Sequence, residues 1–496
     1  MNAHPPNTSS DRRFFGQPAG LGVLFFAEMW ERFSYYGMRA LLLLYLTADA
    51  ARGGLGLSVA NGGAIYSLYT SSAYLLALPG GWIADRLIGQ RRAVLYGGVL
   101  IALGHFSLAL HSQTAFFAGL VLIVLGTGLL KPNISVMVGK LYAPEDEHRD
   151  AGFSIFYMGI NFGAWLGPFV CSLLGEKVDW HLGFAAAGVG MTLGLVVYLG
   201  FGRALGDAGL RPSVVDSPEA HAVFRKQLAW GAVAGLAIVL ALVLSFRFGA
   251  LELTAESLSN AFGIFLLALV VGFFALLFAL GKWTAEERGR LVAIAALFLA
   301  AAFFWGAYEQ AGSTLSLFAD RDTNRWIGGW EFPAGWFQQA PAFFVILQAP
   351  VFAWLWMRLG RRQPASPVKF SLGLLFVGLG YVVMVGASLL AAGGTKVGIS
   401  WLLATYFLHV LGEMCLSPVG LSTVTKLAPP RVSSLMMGVW FLATSVGGYL
   451  AGRAGGLYET LPLPKLFGII AGITIAGAVI LAFAARRIRK LMGGVH

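Results

Sequence analysis

Apolar runs long enough to cross a lipid bilayer recur fourteen times along this 496-residue chain, separated by short polar breaks. They fall at 21–46, 61–84, 93–111, 114–139, 151–175, 182–202, 228–246, 259–281, 291–318, 334–357, 370–392, 398–425, 432–452 and 464–485. A helical crossing needs about 20 predominantly apolar residues, and the hydrocarbon admits only structures that satisfy their own backbone. The runs therefore predict an all-α polytopic membrane protein with fourteen transmembrane helices and both ends on one side. Composition decides one further point. Charged residues are 12% of the chain, half of the roughly 25% carried by soluble domains, which excludes a water-soluble enzyme.

Residues 1–20 are polar and lack an apolar core, so no cleavable signal peptide is expected. Cys171 and Cys415 both lie in apolar runs and are too few for a disulfide framework. With the N-terminus inside, 24 Lys and Arg fall on inner segments and eight on outer loops, namely Arg52, Lys177, Arg247, Arg321, Arg325, Lys396, Arg453 and Lys465. That bias predicts cytoplasmic termini and an inner (plasma) membrane location. It also accounts for the net charge of +11 without a nucleic-acid partner. Of the 35 basic residues three remain, Arg32, Arg39 and Lys131, all deep inside apolar runs. The same subtraction over the 24 acids leaves Glu28, Glu31, Glu309 and Glu413.

Intramembrane charges cost about 2.5–3.5 kcal/mol each on insertion scales, and normally face a cavity and pair. Structural ion pairs between helices are one reading of these seven; a substrate or proton pathway is the other, since a bundle is stable without any of them. The first run is the densest. Glu28, Glu31, Arg32, Tyr36 and Arg39 share one helical face, which must look into the bundle. Glu28 and Arg32 are spaced to pair at i,i+4. An acid beside a cation changes proton affinity when that cation is engaged elsewhere, which is the chemistry of a proton-coupled switch.

Three motifs carry a resemblance to a known family. Glu28-Met29-Trp30-Glu31-Arg32-Phe33-Ser34-Tyr35-Tyr36-Gly37 resembles the ExxERFxYYG motif of the proton-dependent oligopeptide transporters. Phe156 to Gly163 is similar to their second signature, FYxxINxG, with Ala164 where serine often follows. The stretch Gly81 to Arg92 is similar to the loop between helices two and three throughout the major facilitator superfamily. The resemblance covers about residues 20–490. It implies a major-facilitator fold with a cytoplasmic tail at 1–20, a six-helix bundle at 21–202, and a linker with two extra helices at 203–290. A second six-helix bundle at 291–490 and a short tail at 491–496 complete it. A basic patch at Arg358 to Arg362 follows the tenth run much as Arg86 to Arg92 follow the second, as related half-repeats would; a generic basic inner loop would look the same.

The implied activity is proton-coupled symport of di- and tripeptides by alternating access. Peptides of different sequence share only a carboxylate and an ammonium, so a tolerant site grips the ends with opposite charges. The resemblance places the carboxylate near Arg32, Lys131 and Tyr36, and the amine near Glu413 and Asn161. Tyr35, Tyr74, Trp305, Trp440 and Phe441 match its side-chain pockets, although interfacial or core aromatics would read the same way. It pairs Glu309 with Arg39 as a proton-sensitive gate. In one place the chain departs from the family: Gln338-Gln339-Ala340-Pro341 lacks the usual asparagine before proline, and Ala340 cannot bond a peptide backbone. Gly126 and Gly128, with Lys131, spell GxGxxK, which in a membrane helix reads as packing surface rather than a phosphate loop. Pro132, Pro341 and Pro418 are candidate helix bends.

A membrane enzyme is not expected, because HExxH, GxSxG and a cysteine–histidine cluster are all missing from the sequence. His409 precedes Glu413 by one turn; packing is its expected role. The rival on the same fold is a proton-coupled carrier of another small solute, such as a nitrate-like anion or a drug. Protons are the coupling ion, no cofactor or metal is expected, and the partners are peptides, protons and membrane lipid around a monomer.

Overall fold

The computed structural model describes residues 14–143, 146, 148–212, 226, 229, 254–429 and 432–493. Thirteen of the fourteen predicted runs are long helices among these residues, as an all-α membrane protein requires; the run at 228–246 lies outside them apart from residue 229. The helices are α1 (Ala19–Thr47), α2 (Val59–Leu75), α3 (Ala77–Ile83), α4 (Gln90–Leu108), α5 (Gln113–Lys140), α6 (Arg149–Lys177) and α7 (Trp180–Gly200). There follow α8 (Ala255–Leu280), α9 (Ala285–Tyr308), α10 (Thr314–Arg321), α11 (Ala340–Leu359), α12 (Ser366–Ala391), α13 (Ser400–Leu427), α14 (Ser433–Gly456) and α15 (Leu463–Leu491). Nine spans among the described residues are long and apolar enough to cross a membrane. α1 falls short of that standard through its charges, and α2 through its length of 17 residues.

Where the runs break, the reason is local. The second divides at Leu76, because Pro79 lacks the N–H that the Leu75 carbonyl would accept. The ninth stops being α-helical at Tyr308, tightens into a 3-10 turn over Glu309–Gly312, and resumes as α10. The tenth opens with a 3-10 turn, Ala334–Gln339, before Pro341 starts α11 from its first turn. Between α10 and that turn lies a hairpin the sequence reading did not foresee, β1 (Trp326–Ile327) with β2 (Trp330–Glu331). Its two-residue turn is Gly328-Gly329, both at positive φ, as a hairpin of matching twist demands.

By packing, the chain falls into two compact units. The first holds the described residues of 1–35, 76–163 and 184–258. Its core joins Leu21, Leu24 and Ala27 of α1 to Val94 and Ile101 of α4, Leu130, Ile134 and Met137 of α5, and Met191 and Tyr198 of α7. α4 and α5 cross at glycines: a Cβ on Gly97 would lie 2.6 Å from the Gly126 carbonyl, and one on Gly119 2.6 Å from the Gly104 carbonyl. Gly80 of α3 is pressed onto the Gly128 carbonyl, which has no i+4 donor because Pro132 carries no N–H. Asn133 bonds the Gly80 and Leu129 carbonyls across the same crossing. The GxGxxK glycines are packing surface, as read. The superfamily loop folds as a π turn, Ala84–Ile88, and Gly89 at φ +80° turns the chain into α4.

The second unit holds the described residues of 36–75, 164–183 and 259–496. Here α2 lies along α14, where Gly63 faces the backbone of Gly452 and Gly456. Ser71 and Ser445 share a 2.8 Å hydroxyl bond, and Thr70 donates to the Gly448 carbonyl. These contacts tie α2, which the sequence reading gave to the first bundle, to α14, which it gave to the second.

Candidate functional site

The predicted polar face of α1 is real, and the structure spends it on two different clusters, one in each unit. In the first unit Arg32 lies between two carboxylates: its Nε is 3.3 Å from Glu28 Oε1 and closer still to Glu31 Oε2. All three residues are at most 3% exposed. Glu28 Oε2 and Glu31 Oε1 are buried with no hydrogen-bond partner among the described residues. The Arg32 guanidinium sits 5.1 Å from the Tyr35 ring, and Lys131 Nζ reaches within 5.8 Å of the same ring. Tyr35 thus faces two cations, an arrangement that suits its electron-rich face. Asn161 is buried, but its amide donates to the Tyr157 carbonyl one turn back on α6.

The second signature has a packing role that its motif did not announce. Gly159 lies against Phe25, and Gly163 against the Met29 carbonyl; a Cβ added to Gly163 would fall 3.0 Å from the Arg32 Cβ. Two small residues four apart let α6 press its backbone onto α1 at the ion pairs. A side chain at Gly163 would push α6 off α1 at this turn.

In the second unit Arg39 pairs with Glu309 as expected. The Nη2 to Oε2 distance is 2.8 Å, and both side chains are 5% exposed. Arg39 Nη2 also donates to the Glu309 carbonyl at 3.1 Å, and Nε to the Tyr66 hydroxyl at 2.8 Å. The helix break explains why Glu309 can offer both: carbonyls at a helix end turn outward to accept side chains. Gly312 lies against the Tyr66 hydroxyl and the Arg39 Nε, so the break has room for both. Tyr36 is half-buried with its ring 5.8 Å from Arg39.

Glu413 accepts a hydrogen bond from the Tyr308 hydroxyl. His409 is buried between aromatic rings, 5.1 Å from Tyr381 and 6.2 Å from Tyr308, in keeping with the packing role expected of it. Trp305 stands edge-on to Phe304 and Tyr308, its indole N–H buried without a hydrogen-bond partner among the described residues. Tyr74 is buried on α2, while Trp440 packs against Gly420 and Phe370 and, like Phe441, is half-buried. At the departure from the family motif, Gln338 donates weakly to Ser316 at 3.4 Å, and the Gln339 side-chain Oε1 is buried without a hydrogen-bond partner among the described residues.

The sequence reading missed Tyr66 and Tyr308, whose hydroxyls complete the two clusters of this unit, because uncharged tyrosines leave no remainder when charges are counted. It also missed an acid at the end of a run. α6 runs to Lys177, so Glu176 lies in its last turn and accepts from the backbone N–H of Ala334 at 2.6 Å and Gly335 at 2.8 Å. Arg325, counted as an ordinary outer-loop cation, is 6% exposed. It lies 3.8 Å from Glu176, 3.0 Å from Asp320 and 3.1 Å from Glu331, and bonds the Phe332 carbonyl at 2.6 Å. Trp336 stacks on Phe169 at 4.8 Å beside it.

The family model described as the POT family matches residues 91–464. An "Uncharacterized transporter YclF" of Bacillus subtilis is 44% identical over 487 residues, covering 97% of this chain and 96% of that protein. A "Peptide transporter YePEPT" of Yersinia enterocolitica is 42% identical over 505 residues, covering 99% and 98%. The crystal structure of peptide transporter POT in complex with sulfate superposes with a TM-score of 0.92 at 44% identity, covering 98% of both chains.

Proposed function

The chain belongs to the POT family, and from that premise we propose that it imports di- and tripeptides by proton-coupled symport on a major-facilitator fold. The observation that carries the reading is Arg32 shared between Glu28 and Glu31 with Lys131 alongside. A peptide carboxylate arriving there competes with the two acids for the cations. A carboxylate that loses its cation holds a proton more readily, so substrate arrival and proton uptake are linked through one guanidinium. Glu413, in the other predicted bundle, takes the peptide amine. Names borne by relatives, such as "Di-/tripeptide transporter" in Lactococcus lactis, support the substrate class.

Alternating access needs contacts that exist in one state only. Three of those within the second unit join the predicted bundles 21–202 and 291–490: Arg39 to Glu309, Ser71 to Ser445, and Glu176 to Ala334 and Gly335. With both termini cytoplasmic, Glu176 and the hairpin lie at the outer end, so these contacts support an outward-closed state. The test is uptake of labelled dialanine into proteoliposomes. Accumulation that follows an imposed inward proton gradient is expected; accumulation indifferent to it removes the coupling, and competition by nitrate but not by dipeptides removes the substrate class.

A further inference from the structure

Tyr308 has no part in the function as read from the sequence, yet it holds the one acid that reading reserves for the substrate amine. Its ring is fixed on several sides: stacked on Phe304 at 5.5 Å and 24°, edge-on to Trp305 at 5.5 Å, and 6.2 Å from His409. The turn that carries it is fixed as well, because Tyr381 donates to the Ala307 carbonyl at 2.8 Å. Gly412 lets α13 come close, with a Cβ there falling 3.2 Å from Phe304 and 2.7 Å from the Gly373 carbonyl. The hydroxyl therefore meets Glu413 Oε2 from a ring that has little freedom to leave.

We infer that Tyr308 is a positioning residue for the substrate amine, fixing the Glu413 carboxylate through Oε2 so that its remaining acceptor sites face the ammonium. This rests on the reading of Glu413 as the amine site. An ionised carboxylate offers about four acceptor positions, and one hydroxyl uses one of them. An unanchored glutamate on a half-buried helix face loses rotamer freedom on binding, a cost the bond to Tyr308 removes beforehand.

The experiment measures uptake of dialanine and of N-acetyl-dialanine in proteoliposomes holding the full chain, for wild type, Tyr308→Phe, Glu413→Gln and the double variant. Tyr308→Phe keeps the ring and its stacking, so the detergent melting temperature serves as the control for folding. The expected result is a KM for dialanine raised about tenfold, on the scale of one charge-assisted hydrogen bond. kcat should change less than twofold, and uptake of the acetylated analogue should be unchanged. In the Glu413→Gln background the same substitution should add nothing. If Glu413→Gln leaves the ratio of free to acetylated substrate unchanged, the amine site itself is wrong. If that ratio collapses in Glu413→Gln but stays at the wild-type value in Tyr308→Phe, the amine site stands and the role given to Tyr308 is overturned. Equal losses for both substrates in Tyr308→Phe also overturn it, since that is what a merely structural tyrosine would do.

Discussion

Arg39 engages Glu309 twice, through the carboxylate at 2.8 Å and through the residue's own backbone carbonyl at 3.1 Å. A side chain and a main-chain atom of one residue are thus held by a single guanidinium, at the point where the helix changes from α to 3-10. Pairing and helix break depend on each other.

Removing one partner of a buried pair leaves an uncompensated charge and costs about 3–5 kcal/mol, while replacing both can be nearly neutral. Arg39→Ala and Glu309→Ala should each lower the detergent melting temperature, and the double variant should recover most of the loss. Tyr66→Phe, which takes away one acceptor of Arg39, should cost about 1–3 kcal/mol. A double-mutant cycle gives the coupling directly. Strict additivity of Arg39→Ala and Glu309→Ala would mean that the contact contributes nothing.

Energy coupling should reside in the acids around Arg32. Glu28→Gln and Glu31→Gln each keep side-chain size while removing a titratable group from the cluster. Gradient-driven peptide accumulation should disappear in both, whereas exchange of peptide for peptide across the membrane should persist. Full accumulation in both variants would send the proton by another route.

The second crossing to test is made of backbone. A Cβ on Gly63 would lie 2.5 Å from the Gly456 nitrogen and 2.7 Å from the Gly452 carbonyl. Neither atom can yield without moving α14. Gly63→Ala should therefore part α2 from α14, leaving the protein folded but shifting it away from the state with Ser71 bonded to Ser445. A spin-label distance between the ends of α2 and α14 should lengthen; an unchanged distribution with wild-type uptake counts against the crossing as a closure point.

Glu176 supplies a further test of the same closed state. Its carboxylate caps two backbone N–H groups at the start of the turn before α11, where anionic acceptors are favoured. Glu176→Ala leaves both donors unmet and should cost about 2–4 kcal/mol. Glu176→Gln retains one good acceptor and should fall between wild type and Ala in thermal melting. Identical melting of the Gln and Ala variants would place the stabilisation in packing rather than in the cap.

Tyr458 offers a check outside the membrane spans. Burial first, and the adjacent Asp322 second, hold its phenol well above the ordinary tyrosine range. In ultraviolet titration of the folded protein it should stay protonated at pH values where exposed tyrosines ionise, and Asp322→Asn should lower its midpoint.

What the sequence determined on its own was the class of fold and the inventory of charges inside the apolar runs. Fourteen apolar runs leave a chain no alternative to a helical bundle, since lipid satisfies no backbone group. Charges inside those runs can be counted without coordinates, because each is costly enough to stand out, and in this way Arg32, Arg39, Lys131, Glu28, Glu31, Glu309 and Glu413 were all legible. The motifs then supplied a family. Tertiary structure alone decided how the charges divide. One polar stripe on α1 gives Arg32 to two acids of its own helix and Arg39 to an acid 270 positions away, and no periodicity distinguishes these outcomes. It alone brought in Tyr66 and Tyr308, whose hydroxyls are neutral and ordinary in a sequence yet occupy acceptor sites on buried charges. It alone showed Glu176 beside a buried Arg325, because what meets a helix end depends on what folds over it. The physical reason is common to all of these: hydropathy is a property of residues one at a time, whereas pairing and capping are properties of distances, which only the packed chain sets.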